Sequence, residues 1–113
     1  MNQFDIFSWQ PPGWPNPHPA VIVSHPDRAA RKPWVDVVVC TSQRANRKPE
    51  THEVLLDSAD GLNWETLCRC DLIYAAPVDE LKNKRGSVSQ LRRPQLIRTL
   101  IAAHGWAEVL AAS

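Results

Sequence analysis

Apolar and polar positions divide the chain into short β-type runs followed by one helical run. Residues 34–40 carry the strongest of them. Val37, Val38, Val39 and Cys40 are apolar at consecutive positions, which predicts a strand covered on both faces. Residues 18–24 read His-Pro-Ala-Val-Ile-Val-Ser. Pro19 fixes its own φ and biases His18 towards extended geometry, and the β-branched residues that follow predict a buried strand. His18 therefore stands at the mouth of a strand on a stiff backbone. Further strands are expected over 4–9, where apolar residues alternate loosely, over 52–56, and over 65–74, where Arg69 and Asp71 interrupt apolar positions.

The segments between these runs have turn chemistry. Residues 10–17 hold four prolines in eight positions, so they form an ordered loop without ladder donors. Residues 25–33, with Arg28, Arg31 and Lys32, read as a polar, basic loop, and 45–51 as another. Thr41-Ser42-Gln43-Arg44 ends the central apolar run with four polar side chains, and residues 57–62 (Asp-Ser-Ala-Asp-Gly-Leu) read as a turn. Pro77 opens a short helical turn through Leu81, and 86–89 form a brief strand or turn. Residues 94–103 predict an amphipathic helix. Pro94 suits its first turn, Leu96, Ile97, Leu100 and Ile101 form one apolar stripe, and Gly105 is its stop. Five or six short strands and one helix give a mainly β domain, a small barrel or curled sheet capped by a C-terminal helix. Its 113 residues fit a single domain, residues 1–113.

Composition narrows the class. Hydrophobic residues make up 43% and charged residues 22% of the chain, which suits a globular protein that buries a modest core. Net charge is +1, so total charge does not advertise a nucleic-acid partner. From Leu81 to Ala107 there are six basic residues and no acidic one. That run reads either as a solvated helix face or as a surface for an anionic partner. No apolar run approaches the ~20 residues that span a bilayer, and residues 1–5 lack the basic and apolar regions of a leader. Cys40, Cys68 and Cys70 lie in apolar runs, so a reduced cytoplasm with free, buried thiols is expected. Cys68 and Cys70, two apart on a strand, share a face. A zinc site would need two more ligands, and His52 alone is near, so no metal and no cofactor are expected. There is no P-loop, dinucleotide glycine motif or metal-binding helix motif.

Trp14, inside the proline loop, is either a lid over the apolar core or a platform for stacking a base. Thr41 and Ser42 either end a strand or donate to an anion, and Asp71 either bonds a backbone amide or faces a ligand.

The order of these pieces resembles the MazF/PemK family of type II toxin–antitoxin ribonucleases, from Phe4 to about Ala103. The resemblance rests on Asp5-Ile6-Phe7, the Pro/Gly loop, His18-Pro19-Ala20-Val21-Ile22-Val23-Ser24, and Val37-Val38-Val39-Cys40-Thr41-Ser42. Pro49-Glu50-Thr51-His52-Glu53-Val54, Cys70-Asp71-Leu72-Ile73 and the approach to the C-terminal helix through Gly86 and Ser89 continue it. It implies an SH3-like small β-barrel capped by a C-terminal helix, a homodimer and a cognate antitoxin partner. It further implies contact with operator DNA only through that antitoxin, and metal-independent cleavage of single-stranded RNA in the cytoplasm. The family's catalytic pair is an arginine before the strand proline and a threonine after the next strand. Carried over, these positions are His18 and Thr41, with Trp14, Arg28, Ser42, Arg44 and Asp71 as candidate substrate-binding residues. The chain departs from the pattern at His18, at Leu72, where glutamine is common, and at Tyr74, where arginine is common. His18 exchanges a permanent cation for a titrating group, to be compensated by Arg28 or Arg44. A catalytically degenerate toxin, or a CcdB-like non-enzymatic binder on the same fold, is the alternative.

Overall fold

The computed structural model describes residues 1–41 and 46–113. Six strands form one antiparallel sheet: β1 (Asp5–Trp9), β2 (His18–Ile22), β3 (Trp34–Cys40), β4 (Glu53–Leu56), β5 (Thr66–Pro77) and β6 (Lys82–Ser87). Their order across the sheet is β4-β5-β3-β2-β1-β6. Three helices accompany them: α1 (Pro26–Arg31), α2 (Arg93–Ala103) and α3 (Trp106–Ala112).

β3 is central, between β2 and β5, and its alternation feeds two cores. Val38 and Cys40 pack with Ile6, Val21, Leu56, Leu96 and Leu100. Val37 and Val39 pack on the opposite face with Trp9, Ala20, Ile22 and Leu81. A consecutive apolar run is the pattern a strand needs when both faces are covered. Cys68 and Cys70 share the first core, as their spacing requires.

The sheet curls because its two ends meet. β4 and β6 are the outermost strands, and in a flat sheet five spacings of about 4.8 Å would hold them ~24 Å apart. Yet a Cβ placed on Gly86 of β6 would lie 2.0 Å from the Asp60 carbonyl oxygen and 3.0 Å from Gly61 Cα, in the turn after β4. That turn is a single 3₁₀ turn over Ser58–Asp60, capped by Asp57 and closed by Gly61 in a left-handed conformation (φ 89°). The Asp60 carboxylate is fully buried. It accepts from Asp57 N–H and Ser89 N–H, both at 2.9 Å, and from the Arg92 guanidinium. Arg92 also reaches Asp57 at 3.1 Å. The residues read as a plain turn are therefore the seam between the first and last parts of the sheet. The helix-capped, curled β architecture follows from that seam and from Leu96 and Leu100 of α2, which close the first core.

Three expectations change. Residues 25–33 are not all loop. His25 Nδ1 accepts from Asp27 N–H at 3.1 Å, Pro26 takes the first turn, and Ala29 is buried, which yields α1. One turn and a half is too short for periodicity to reveal. Gly105 does stop α2, in a left-handed conformation (φ 72°), but the chain then re-enters a helix, α3. β5 runs on to Pro77, and β6 begins at Lys82 rather than Gly86.

Gly86→Ala is expected to destabilise the protein by about 2 kcal/mol or more, because the new methyl group meets backbone rather than a side chain that can move. At this chain length that lowers Tm by on the order of 10 °C. Gly13→Ala, where the left-handed backbone has open space around it, is expected to cost less. Thermal melts of both variants check the ranking.

Candidate functional site

His18 opens β2 and Cys40 closes β3, and the two strands are neighbours. The His18 ring sits 2.9 Å, through Nδ1, from the Cys40 carbonyl oxygen. A carbonyl only accepts, so Nδ1 carries the hydrogen and Nε2 of the neutral ring keeps its lone pair. Nε2 has no protein partner among the described residues. Strand pairing thus fixes both the tautomer and the orientation of this imidazole.

The ring lines a cleft of about 280 Å³ with Thr41, Trp14, Tyr74, Leu72, Val39 and Arg69. Trp14 meets the His18 ring edge-on at 5.0 Å between centroids and the Tyr74 ring at 5.8 Å. Tyr74 in turn meets Trp9 at 6.1 Å. Each is a T-shaped pair, the geometry that ring quadrupoles favour. Trp14 is half-buried, held by Gln10 Nε2 donating to its carbonyl at 2.8 Å. It is packed against the second core and also forms a wall of the cleft.

Thr41 is tied to β5. Its N–H donates to the Leu67 carbonyl at 3.0 Å, and its Oγ1 accepts from Leu67 N–H at 3.2 Å. Thr66 Oγ1 spends its hydrogen on the Thr41 carbonyl at 2.6 Å. The 2.9 Å contact between the two hydroxyls therefore has Thr41 as donor.

No protein-family model matches the chain, and no curated relative matches it. Solved structures do. An endoribonuclease in complex with its cognate antitoxin, from a Mycobacterial species, superposes with a TM-score of 0.78 at 21% identity, covering 93% of this chain and 95% of that one. The Mycobacterium tuberculosis toxin MazF-mt6 gives 0.72 at 20% identity, over 88% and 93%. A MazE-MazF complex from Deinococcus radiodurans gives 0.69 at 12% identity, over 90% and 92%. The chain has the MazF fold.

On this MazF-type scaffold the remaining candidates separate. Arg28 does not line the cleft; it sits on α1, where Nη1 donates to the Trp34 carbonyl at 3.1 Å. Asp71 also lies outside the cleft lining, and the β5 register explains why. Val39 pairs with Arg69, but Val37 pairs with Tyr74, three residues further along than a regular ladder allows. This wide bulge pushes Asp71 out of line, and Tyr74 takes the place opposite Val37. Asp71 instead lies 4.0 Å from His52 Nε2. Ser42 and Arg44 lie outside the described residues.

Arg69 is the cleft residue that the sequence reading passed over, and it stands next to the bulge. Its signal was faint: an arginine interrupting an apolar run, whose neighbours depend on a register that only the fold supplies. Most of the basic run in residues 81–107 is absorbed by the fold. Lys84 pairs with Asp5 at 3.3 Å and Arg85 lies over the Trp64 ring at 5.1 Å. Arg92 is in the seam, and Arg93 lies over Phe4 at 4.9 Å.

The three cysteines are free and buried. Hydrogen bonding to Cys40 together with burial pushes the Cys68 thiol well up, and hydrogen bonding to Cys68 with burial raises that of Cys70. Neither is a thiolate near neutrality, so neither is a nucleophile. Among the described residues no cluster of three His, Cys, Asp or Glu side chains has the form of a metal site. No helix among them is long and apolar enough to cross a membrane.

Glu53, on β4 across from Arg69, is buried and held by Arg47 at 2.6 and 2.8 Å and by Glu50 N–H at 3.0 Å. The Arg47 hydrogen bonds bring its pKa down from 4.5 to about 2. A carboxyl lowered on folding stabilises the native state above its unfolded pKa, and this is lost as pH falls through the folded value. Wild-type stability is expected to decline between about pH 4.5 and pH 2. Glu53→Gln is expected to be less stable at pH 7 and to lose less over that interval. Denaturant midpoints at pH 7, 4.5 and 3 check this.

Proposed function

We propose that this chain is a MazF-type toxin that cleaves single-stranded RNA, without a metal, at the cleft lined by His18 and Thr41. One observation carries the reading. On a MazF fold, an oriented imidazole, a threonine, an aromatic wall and an arginine line a single cleft. Cleavage by the 2′-hydroxyl needs a base, an acid and stabilisation of charge on the phosphorane. His18 Nε2 takes the 2′-proton, with solvent water protonating the leaving 5′-oxygen, or, protonated, it delivers a proton to the 5′-oxygen while water takes the 2′-proton. Thr41 donates to a phosphoryl oxygen, exchanging its bond to Thr66 for one to substrate. Trp14 and Tyr74 supply faces for an unpaired base.

The bond from Thr41 to Thr66 favours a second reading, a degenerate toxin that keeps the fold and binds without cutting. A CcdB-like non-enzymatic binder on the same fold is the other form of this second reading; Trp106 opens α3. The neighbour described as an endoribonuclease in complex with its cognate antitoxin and the MazE-MazF complex support an antitoxin partner for this chain. A homodimer and a cytoplasmic setting belong to the same proposal. Exposed Trp106, Val109 and Leu110 on α3 give an apolar face for the contact between copies.

The test is a pH series on mixed-sequence RNA with EDTA present. Wild type is expected to cut, with a rate that changes with pH, as a cleft that relies on an imidazole requires. His18→Ala should lower the rate at least ~100-fold while leaving the fold intact. His18→Arg should flatten the pH dependence across neutrality. Cutting that survives in His18→Ala contradicts the assignment. RNA left intact by wild type but cut by His18→Arg selects the degenerate reading. Sedimentation at micromolar concentration is expected to show a dimer; a clean monomer of 12.7 kDa removes that part of the proposal.

A further inference from the structure

Five residues apart in sequence, Arg69 and Tyr74 flank the β5 bulge and line the same cleft. Arg69 is exposed in the middle of a strand, and no hydrogen bond or ion pair ties down its guanidinium among the described residues. This is unexpected, because the residue directly across from it on β4 is Glu53. Directly opposed residues on antiparallel strands share a face and lie ~5 Å apart at Cβ, so a cross-strand ion pair is the default. Arg47 prevents it by binding the Glu53 carboxylate in a fork, and Glu50 N–H takes a further position on the same oxygen. With its natural counter-ion occupied, Arg69 keeps its charge and its five donors for the cleft.

We propose that Arg69 is the phosphate-binding cation of this site, holding a phosphodiester of single-stranded RNA beside His18. The inference rests on the ribonuclease reading and goes beyond it by naming the residue that supplies a permanent charge where position 18 has none. A guanidinium fork matches two phosphoryl oxygens at once. Its neighbour Val39 and the Tyr74 and Trp14 rings give the nucleotide an apolar floor and wall. A phosphate contact carries no base information, so Arg69 governs affinity, while any sequence preference comes from the aromatic side.

The experiment measures anisotropy of labelled single-stranded 2′-O-methyl oligoribonucleotides, which lack the attacking hydroxyl, over a salt series. The proteins are wild type, Arg69→Gln, Arg69→Lys and Arg98→Gln. Arg98 is an exposed cation on α2 outside the cleft, so its loss changes net charge equally. Arg69→Gln is expected to weaken binding roughly ten- to hundredfold at 0.1 M salt, as loss of a charge-assisted hydrogen bond requires. It should reduce the slope of log K against log salt by about 0.7. The loss should be equal for oligonucleotides of different sequence. Arg69→Lys should keep the slope, and Arg98→Gln should stay within about twofold of wild type, as for an exposed charge remote from the ligand. An unchanged slope and affinity in correctly folded Arg69→Gln overturns the proposal while leaving the RNA reading standing. A wild type that ignores every oligonucleotide overturns both. Arg69-dependent binding of a polyglutamate peptide in place of RNA reassigns the residue to a carboxylate-bearing partner and overturns it as well.

Discussion

The buried Asp60 carboxylate is the contact on which the curled sheet depends. It takes hydrogen bonds from the turn after β4, from the segment after β6 and from the first residues before α2. The bonds from Ser89 and Arg92 join parts of the chain that the strand order places at opposite ends of the sheet, while the bond from Asp57 N–H holds the turn itself. Removing one member of such a buried pair costs about 3–5 kcal/mol, because the remaining charge stays desolvated. That is a large share of the stability of a domain this size. Arg92 is held between Asp57 and Asp60, and its hydrogen bond lowers the Asp57 pKa. Gly86 is the steric counterpart of this seam, since a side chain there would force the two ends apart.

The site follows from the curl. Both faces of β3 are covered, and its C-terminal end at Cys40 lies beside His18, where β2 begins. His18 is aimed by the Cys40 carbonyl. Thr41 is anchored to Thr66 and Leu67. The bulge between the Val37 and Val39 pairings brings Tyr74 and Arg69 into one cleft. The positions are thus set by main-chain pairing rather than by flexible side-chain contacts, an arrangement that pre-organises a cleft for its ligand.

The strands were legible where local chemistry decided them. Four consecutive apolar residues made β3 readable, and His18-Pro19 marked the start of β2. Pro94 and the apolar stripe after it marked α2. What could not be read depends on register and on distant partners. The three-residue offset in β5 removes Asp71 from the cleft and installs Tyr74, and no local signal announces a bulge. Arg28 looked available because α1 was too short to show a period. Arg69 looked like an ordinary interruption because its freedom depends on Arg47 capturing Glu53. Asp60 read as a turn residue, and its role across the seam needs Ser89 and Arg92, about 30 residues away.

The central claim is that this cleft receives single-stranded RNA. The most direct measurement is a crystal structure of the protein with a short oligoribonucleotide carrying one 2′-deoxy sugar at the scissile position. A phosphate within hydrogen-bonding distance of the Arg69 guanidinium, with the 2′ carbon or the bridging 5′-oxygen of the scissile position facing His18 Nε2 and a base against Trp14 or Tyr74, is the predicted result. RNA seated elsewhere, for example in the groove at α1 lined by His25, Asp27, Arg28, Arg31 and Lys32, with the cleft empty, would contradict it.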